Sequence, residues 1–91
     1  MNDDWDQISY VIASSYRVEV LGRLAESPAT PSRIAADTDR PTTHVSRALR
    51  GLREHGLVEL LVSEERQKGR VYGITDRGQA TWDTIDDQNL A

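Results

Sequence analysis

The stretch that most restricts what this chain can fold into is residues 31–58, PSRIAADTDRPTTHVSRALRGLREHGLV. Val45, Ala48, Leu49 and Leu52 recur at i, i+3, i+4 and i+7, the spacing of one buried helix face. Ile34 and Ala35 begin a shorter apolar stripe just before it. On the opposite side of the second stripe lie Thr43, Arg47 and Arg50, with His44, Ser46 and Arg53 on the flanks. A helix with an apolar back and a hydroxyl- and arginine-rich front can rest on a core and still present donors to the edges of bases. Gly56 is placed to stop that helix, because glycine takes the left-handed conformation at C′ at little cost, and Leu57 supplies the apolar contact that accompanies such a cap.

Two short helices joined by a turn, the second with an arginine face, predict a helix-turn-helix. The run I-A-A, then V-S-R-A-L, then G-L-V resembles the winged-helix transcriptional regulators, in particular the MarR- and ArsR-like groups and the small archaeal regulators akin to a phage repressor. The resemblance covers about residues 15–78. It implies a mainly α fold with a small antiparallel sheet (α+β), the winged helix-turn-helix, and a DNA-binding regulator of transcription. Thr38, Asp39 and Arg40 depart from the pattern, standing where the turn often carries Leu-Gly-Leu. Asp39 can still adopt a left-handed turn position. Thr38 and Arg40 remove two apolar anchors, so a looser or differently packed turn is expected.

The remaining elements follow in order. WDQISYVIA (5–13) predicts a short helix opened by Asp3 or Asp4, with Ile8, Val11 and Ile12 as its stripe. Ser14 or Ser15 caps a second helix, SYRVEVLGRLAE, in which Tyr16, Val20, Leu21 and Leu24 recur at helical spacing. Trp5 and Tyr10 are large for a surface; they pack on the chain's own C-terminal helix or against a second subunit. Ser27–Pro31 is a break, and the resemblance to winged helices implies that it donates one short strand to the sheet, at Ala29. Thr30 is placed to cap the helix 31–37, with Pro31 at N1. The recognition helix is expected to start with Pro41 at N1 and to run to about His55. Leu57–Val62 reads as a strand and RVYGIT as its partner, joined by the polar loop SEERQKG. Together these make the wing hairpin, 57–75. Thr75-Asp76 caps a last helix, about 76–88, with Trp82 and Ile85 as its apolar points, and Gly78 in T-D-R-G resembles the T-x-x-G that follows the wing in these regulators. The whole of 1–91 reads as one winged-helix domain.

The chain has 91 residues and a formal charge of −4. At this size only roughly 60–65% of the unfolded surface is buried, so sharing apolar surface with a second copy is an expected remedy. There is no cysteine, hence no disulfide framework or thiolate metal site. The acidic start, MNDDWDQ, is unlike a signal peptide, and the expected location is cytoplasmic. Net acidity argues against nucleic acid, but the distribution matters more than the sum. Residues 40–77 hold eight basic against five acidic side chains, whereas residues 1–39 hold three against seven and residues 78–91 none against three. The positive charge is concentrated in the helix-turn-helix and the wing. Ten Arg against one Lys, and nine Asp against six Glu, resemble the composition of proteins from salt-loving archaea; a GC-rich genome gives the same preference for Arg over Lys.

The candidate DNA-binding residues are therefore Ser32 and Arg33 at the start of the first helix of the motif, Thr42, Thr43, His44, Ser46, Arg47, Arg50 and Arg53 on the second, and Arg66, Lys68 and Arg70 in the wing. Arg47 is the candidate for a paired contact to guanine, the commonest direct readout. Thr43, His44 and Ser46 are placed for base edges or phosphate, and Arg50 and Arg53 for phosphates, which fix register without specifying sequence. Glu64 and Glu65 face the same phosphates as the wing arginines unless they pair with them. No G-x-S-x-G, P-loop or H-E-x-x-H occurs. His44 and His55 fall about 16 Å apart along one helix, too far for one metal. No enzyme, cofactor or metal is expected. The expected partners are double-stranded DNA with a palindromic operator and a second copy of the chain, met through the N- and C-terminal helices; no membrane is expected, and the sequence is silent on an effector. The rival is a winged helix used for protein–protein contact in a transcription or chromatin assembly, which the acidic ends favour and the arginine face does not.

Overall fold

The computed structural model describes residues 3–62 and 70–90. Five helices and a two-stranded sheet follow in the order α1 (Asp3–Ile12), α2 (Ser15–Glu26), α3 (Pro31–Thr38), α4 (Thr42–Glu54), β1 (Val58–Val62), β2 (Val71–Ile74) and α5 (Asp76–Asp87). This is the winged helix-turn-helix expected from the sequence. Among the described residues no helix is long and apolar enough to cross a membrane.

Capping side chains set where the helices begin. Thr30 Oγ1 accepts from Arg33 N at 3.1 Å, with Pro31 at N1 of α3, and Thr75 Oγ1 accepts from Gly78 N at 3.0 Å at the start of α5. Ser14 does the same for α2 through Arg17 N, at a long 3.4 Å. Each satisfies one of the orphan N–H donors of a first turn. Helix α4 differs from expectation: Pro41 is its N-cap rather than N1, because its ψ of 140° is extended, and it supplies no side-chain cap. At the other end the expected stop is present. Gly56 has φ 75°, Leu57 N donates to Leu52 O and Gly56 N to Arg53 O, both at 2.9 Å, which is the double bond of a Schellman cap.

The turn between α3 and α4 is packed differently from an apolar one. Asp39 takes the left-handed conformation, φ 59°, and Arg40 N donates to Ala35 O at 3.1 Å. Thr38 Oγ1 donates to Ile34 O at 2.7 Å. The Arg40 guanidinium reaches back to α2, donating to both Glu19 carboxylate oxygens at 2.7 Å and lying over the Tyr16 ring, 4.9 Å from its centroid. Two polar anchors thus replace two apolar ones, and the turn is tied to α2 by a bidentate pair rather than left loose. The pair holds the Glu19 carboxyl below the usual glutamate range, through the Arg40 hydrogen bonds first. A depressed carboxylate contributes stability above its unfolded pKa and loses it as pH falls through the folded value. Glu19→Gln is therefore expected to lower the melting temperature at neutral pH and to make progressively less difference below about pH 4.5. Thermal melts of both proteins across that range check this; a difference that stays constant with pH would overturn it.

The core is shared by every element. Ile8 and Val11 of α1, Val20, Leu21 and Leu24 of α2, Ile34 of α3, Val45, Leu49 and Leu52 of α4, Leu57, Val58 and Ile85 are all buried. Ile12, assigned above to the α1 stripe, is not part of it: it is 38% exposed, on the same flank as Trp5 at 55%. The two are seven residues apart, two helical turns, and so share a side. Strands β1 and β2 are antiparallel, with Val58 opposite Ile74 and Leu60 opposite Tyr72, and the register slips between Leu60 and Val62. Ala29 exchanges both backbone hydrogen bonds with Tyr72, at 3.0 and 2.9 Å, as the expected one-residue third strand. That bridge holds β2, and so the base of the wing, against the start of α3.

Candidate nucleic-acid interface

Helix α4 buries Val45, Ala48, Leu49 and Leu52 and leaves the other side to solvent. At 100° per residue, Thr43, Arg47, Arg50 and Glu54 fall on one outward ridge. Thr42, Ser46 and Arg53 lie along one side of it and His44 and Gly51 along the other. Thr42, Thr43, Ser46, Arg47, Arg50 and Arg53 are exposed, whereas His44 is half-buried, its ring 4.5 Å from that of Tyr16. Arg50 Nε is 3.8 Å from Glu54 and both side chains remain largely in solvent, so this i,i+4 pair constrains Arg50 little. Among the described residues nothing covers Arg47, which is exposed.

A concavity of about 710 Å³ runs along one flank of the ridge, between α4, the start of α3 and β2. Pro31, Ser46, Arg47, Arg50, Arg53 and Arg70 line it, and Tyr72 forms part of its floor. Arg70 is exposed, with one guanidinium nitrogen 3.5 Å from the Tyr72 hydroxyl. The structure thus brings together four arginines from α4 and the wing. From the sequence Tyr72 marks the second strand of the wing; its buried ring and groove-facing hydroxyl follow from the bridge to Ala29. A second concavity, of about 550 Å³, lies on the opposite flank between α4 and the α1–α2 junction.

Ser32 and Arg33 are exposed at the start of α3. Arg33 is partly engaged, its Nε 3.3 Å from Asp37, which also takes Arg23 at 2.8 Å. The two guanidinium groups, Arg23 first, hold the Asp37 carboxyl below the usual aspartate range. Arg66 and Lys68, with the glutamates beside them, lie outside the described residues. Among the described residues no cluster of His, Cys, Asp or Glu is arranged to hold a metal. The two histidines serve other contacts: His55 stacks on Tyr10 at 3.7 Å between ring centroids. Tyr10 therefore packs on the end of α4.

The fold is shared with solved transcription regulators. Residues 5–89 match the family described as the HVO_A0261 N-terminal domain. Among solved structures, a mutant of Lactococcus lactis ZitR superposes with a TM-score of 0.75 at 19% identity, over 85% of this chain and 53% of that one. NMB1585, a MarR family regulator from Neisseria meningitidis, gives 0.73 at 24% identity, over 85% and 55%. MepR of S. aureus, solved in complex with DNA, gives 0.71 at 23% identity, over 99% and 78%. The chain spans little more than half the length of the first two. No curated protein matches it.

Proposed function

The chain belongs to the HVO_A0261 N-terminal domain family, and from that premise we propose that it binds duplex DNA sequence-specifically and regulates transcription, as a repressor that blocks promoter access. The observation that carries this reading is the solvent-facing ridge of α4, with Arg47 at its centre and the groove holding Arg53 and Arg70 beside it. A helix about 10–12 Å across fits a major groove about 12 Å wide, which places the ridge against base edges and the flanking arginines against phosphate. A winged-helix fold solved elsewhere in complex with DNA supports the same reading by analogy. The exposed arginine face weighs against use of this surface for protein contact alone.

The expected assembly is a homodimer on a palindromic operator, with half-sites about 10 bp apart or a multiple of that. Trp5 and Ile12, side by side and exposed on α1, support contact through the terminal helices. If the acidic, arginine-rich composition reflects a salty cell interior, counterion release contributes little there, and base contacts carry more of the affinity. Fluorescence anisotropy with a duplex from the promoter of its own gene tests the proposal. The promoter duplex is expected to bind on the order of a thousandfold more tightly than a random one, with affinity for both falling as salt rises. Absence of binding to either duplex at low salt would overturn it.

A further inference from the structure

The second concavity is lined by Tyr10, Tyr16, Arg17 and His44 together with the ridge residues Arg47, Arg50 and Glu54. Among its cations, Arg17 is held by both a ring and a carbonyl. One face of the Tyr10 ring carries His55, 3.7 Å between centroids and 16° from parallel. The Arg17 guanidinium lies 3.9 Å from the same centroid, which leaves it the opposite face. Arg17 Nη1 also donates to Tyr10 O at 2.7 Å. The cation is thereby held in place by a ring and a carbonyl, while most of its five N–H donors are not needed for that hold. A fixed guanidinium loses little freedom when it meets an anion.

The ridge of α4 separates this groove from the one containing Arg53 and Arg70. A helix lying in the major groove has a sugar–phosphate strand on each side of it. We propose that the α1–α2 junction is the second wall of the interface: Arg17, with the His44 edge of the groove, takes a phosphate of the strand opposite the one met by Arg53 and Arg70. The Glu54 carboxylate also borders this groove, and its pairing with Arg50 offsets its repulsion of a phosphate. This assignment rests on the DNA-binding reading above and adds to it a contact outside the helix-turn-helix and wing.

The test uses the full chain and its promoter duplex, with single neutral methylphosphonates placed along each strand. Wild-type binding is expected to weaken at positions on both strands flanking the bound major groove. Arg17→Gln keeps an N–H for the Tyr10 carbonyl but removes the charge. It is expected to bind promoter and random duplexes more weakly by the same factor, to lower the salt slope by about 0.9 per bound protomer, and to lose sensitivity on one strand of each half-site. Arg70→Gln is expected to lose it on the other, and Arg17→Lys to keep the wild-type slope. Sensitivity confined to one strand within each half-site of the wild type, or an unchanged slope in Arg17→Gln while Arg70→Gln lowers it, leaves DNA binding standing and overturns the second wall. A wild-type protein that binds no duplex overturns both readings. If Arg17→Gln melts early, a wild-type scan that is silent on the strand beside the α1–α2 junction still overturns the second wall.

Discussion

Gly78→Ala is expected to lower the melting temperature by roughly 10–20 °C, the equivalent of about 2–3 kcal/mol in a domain of this size. Helix propensity alone predicts the reverse, a gain of up to about 1 kcal/mol on replacing a helical glycine. The clash decides the sign. A Cβ at Gly78 runs into the Leu57 carbonyl oxygen, and meets Ile74 Cγ1 at 2.8 Å. That carbonyl cannot swing aside, because it already accepts from Thr75 N at 3.0 Å. Relief therefore requires moving the first turn of α5 away from the start of β1, which loosens the buried packing of Ile85 and Val58 behind it. Gly51 provides the contrast. A Cβ there meets the Tyr10 hydroxyl, which can give way only by shifting a ring stacked between His55 and Arg17 and not by moving backbone, so Gly51→Ala is expected to cost less than Gly78→Ala. Thermal melts of the two variants beside the wild type check this, and a Gly78→Ala protein within about 2 °C of wild type would show that α5 docks less tightly than the contact implies.

That glycine also illustrates how much a sequence of this kind reveals. Its position after the wing was legible from resemblance, but its cause, a backbone-to-backbone approach between residues 57 and 78, was not. Helices α2 to α5 were legible because each combines an apolar stripe with a cap: Ser14 before α2, Thr30 with Pro31 before α3, Gly56 after α4 and Thr75 with Asp76 before α5. Pro41 was misplaced by one position because its fixed φ suits N1 and N-cap alike, and only ψ distinguishes them. Ile12 was misassigned because a ten-residue helix offers too few turns to define which edge of a stripe faces inward. The contacts that tune the site were the least legible. Arg40 meets Glu19 across 21 positions, and Tyr10 meets His55 across the whole helix-turn-helix. Neither leaves a periodic trace, so Arg17 carried no local signal beyond being an arginine next to an aromatic in a capped first turn. Ser46, Arg47, Arg50 and Arg53 were legible because exposure on a helix is the complement of its apolar stripe.

Arg47→Ala is expected to reduce discrimination between the operator and a base-substituted operator by roughly 5- to 150-fold, the 1–3 kcal/mol carried by one paired contact to guanine. Arg47 stands at the middle of the outward ridge, exposed, and among the described residues it has no carboxylate within ion-pair distance, in contrast to Arg23, Arg33, Arg40 and Arg50. Removing it therefore breaks no intramolecular pair, and stability is expected to change by less than about 0.5 kcal/mol. Any effect on DNA belongs to the interface. Arg70→Ala separates the two kinds of contact. At the base of the wing its guanidinium faces the groove rather than the ridge, so its loss is expected to weaken operator and random duplexes by the same factor. Anisotropy titrations of both variants against operator, base-substituted operator and random duplex give the comparison directly. A loss for Arg47→Ala that is equal on all three duplexes would move Arg47 to the phosphate class, and sequence reading would then have to rest on Thr43 and Ser46, whose short hydroxyls reach the base edges only if the helix sits deeper in the groove.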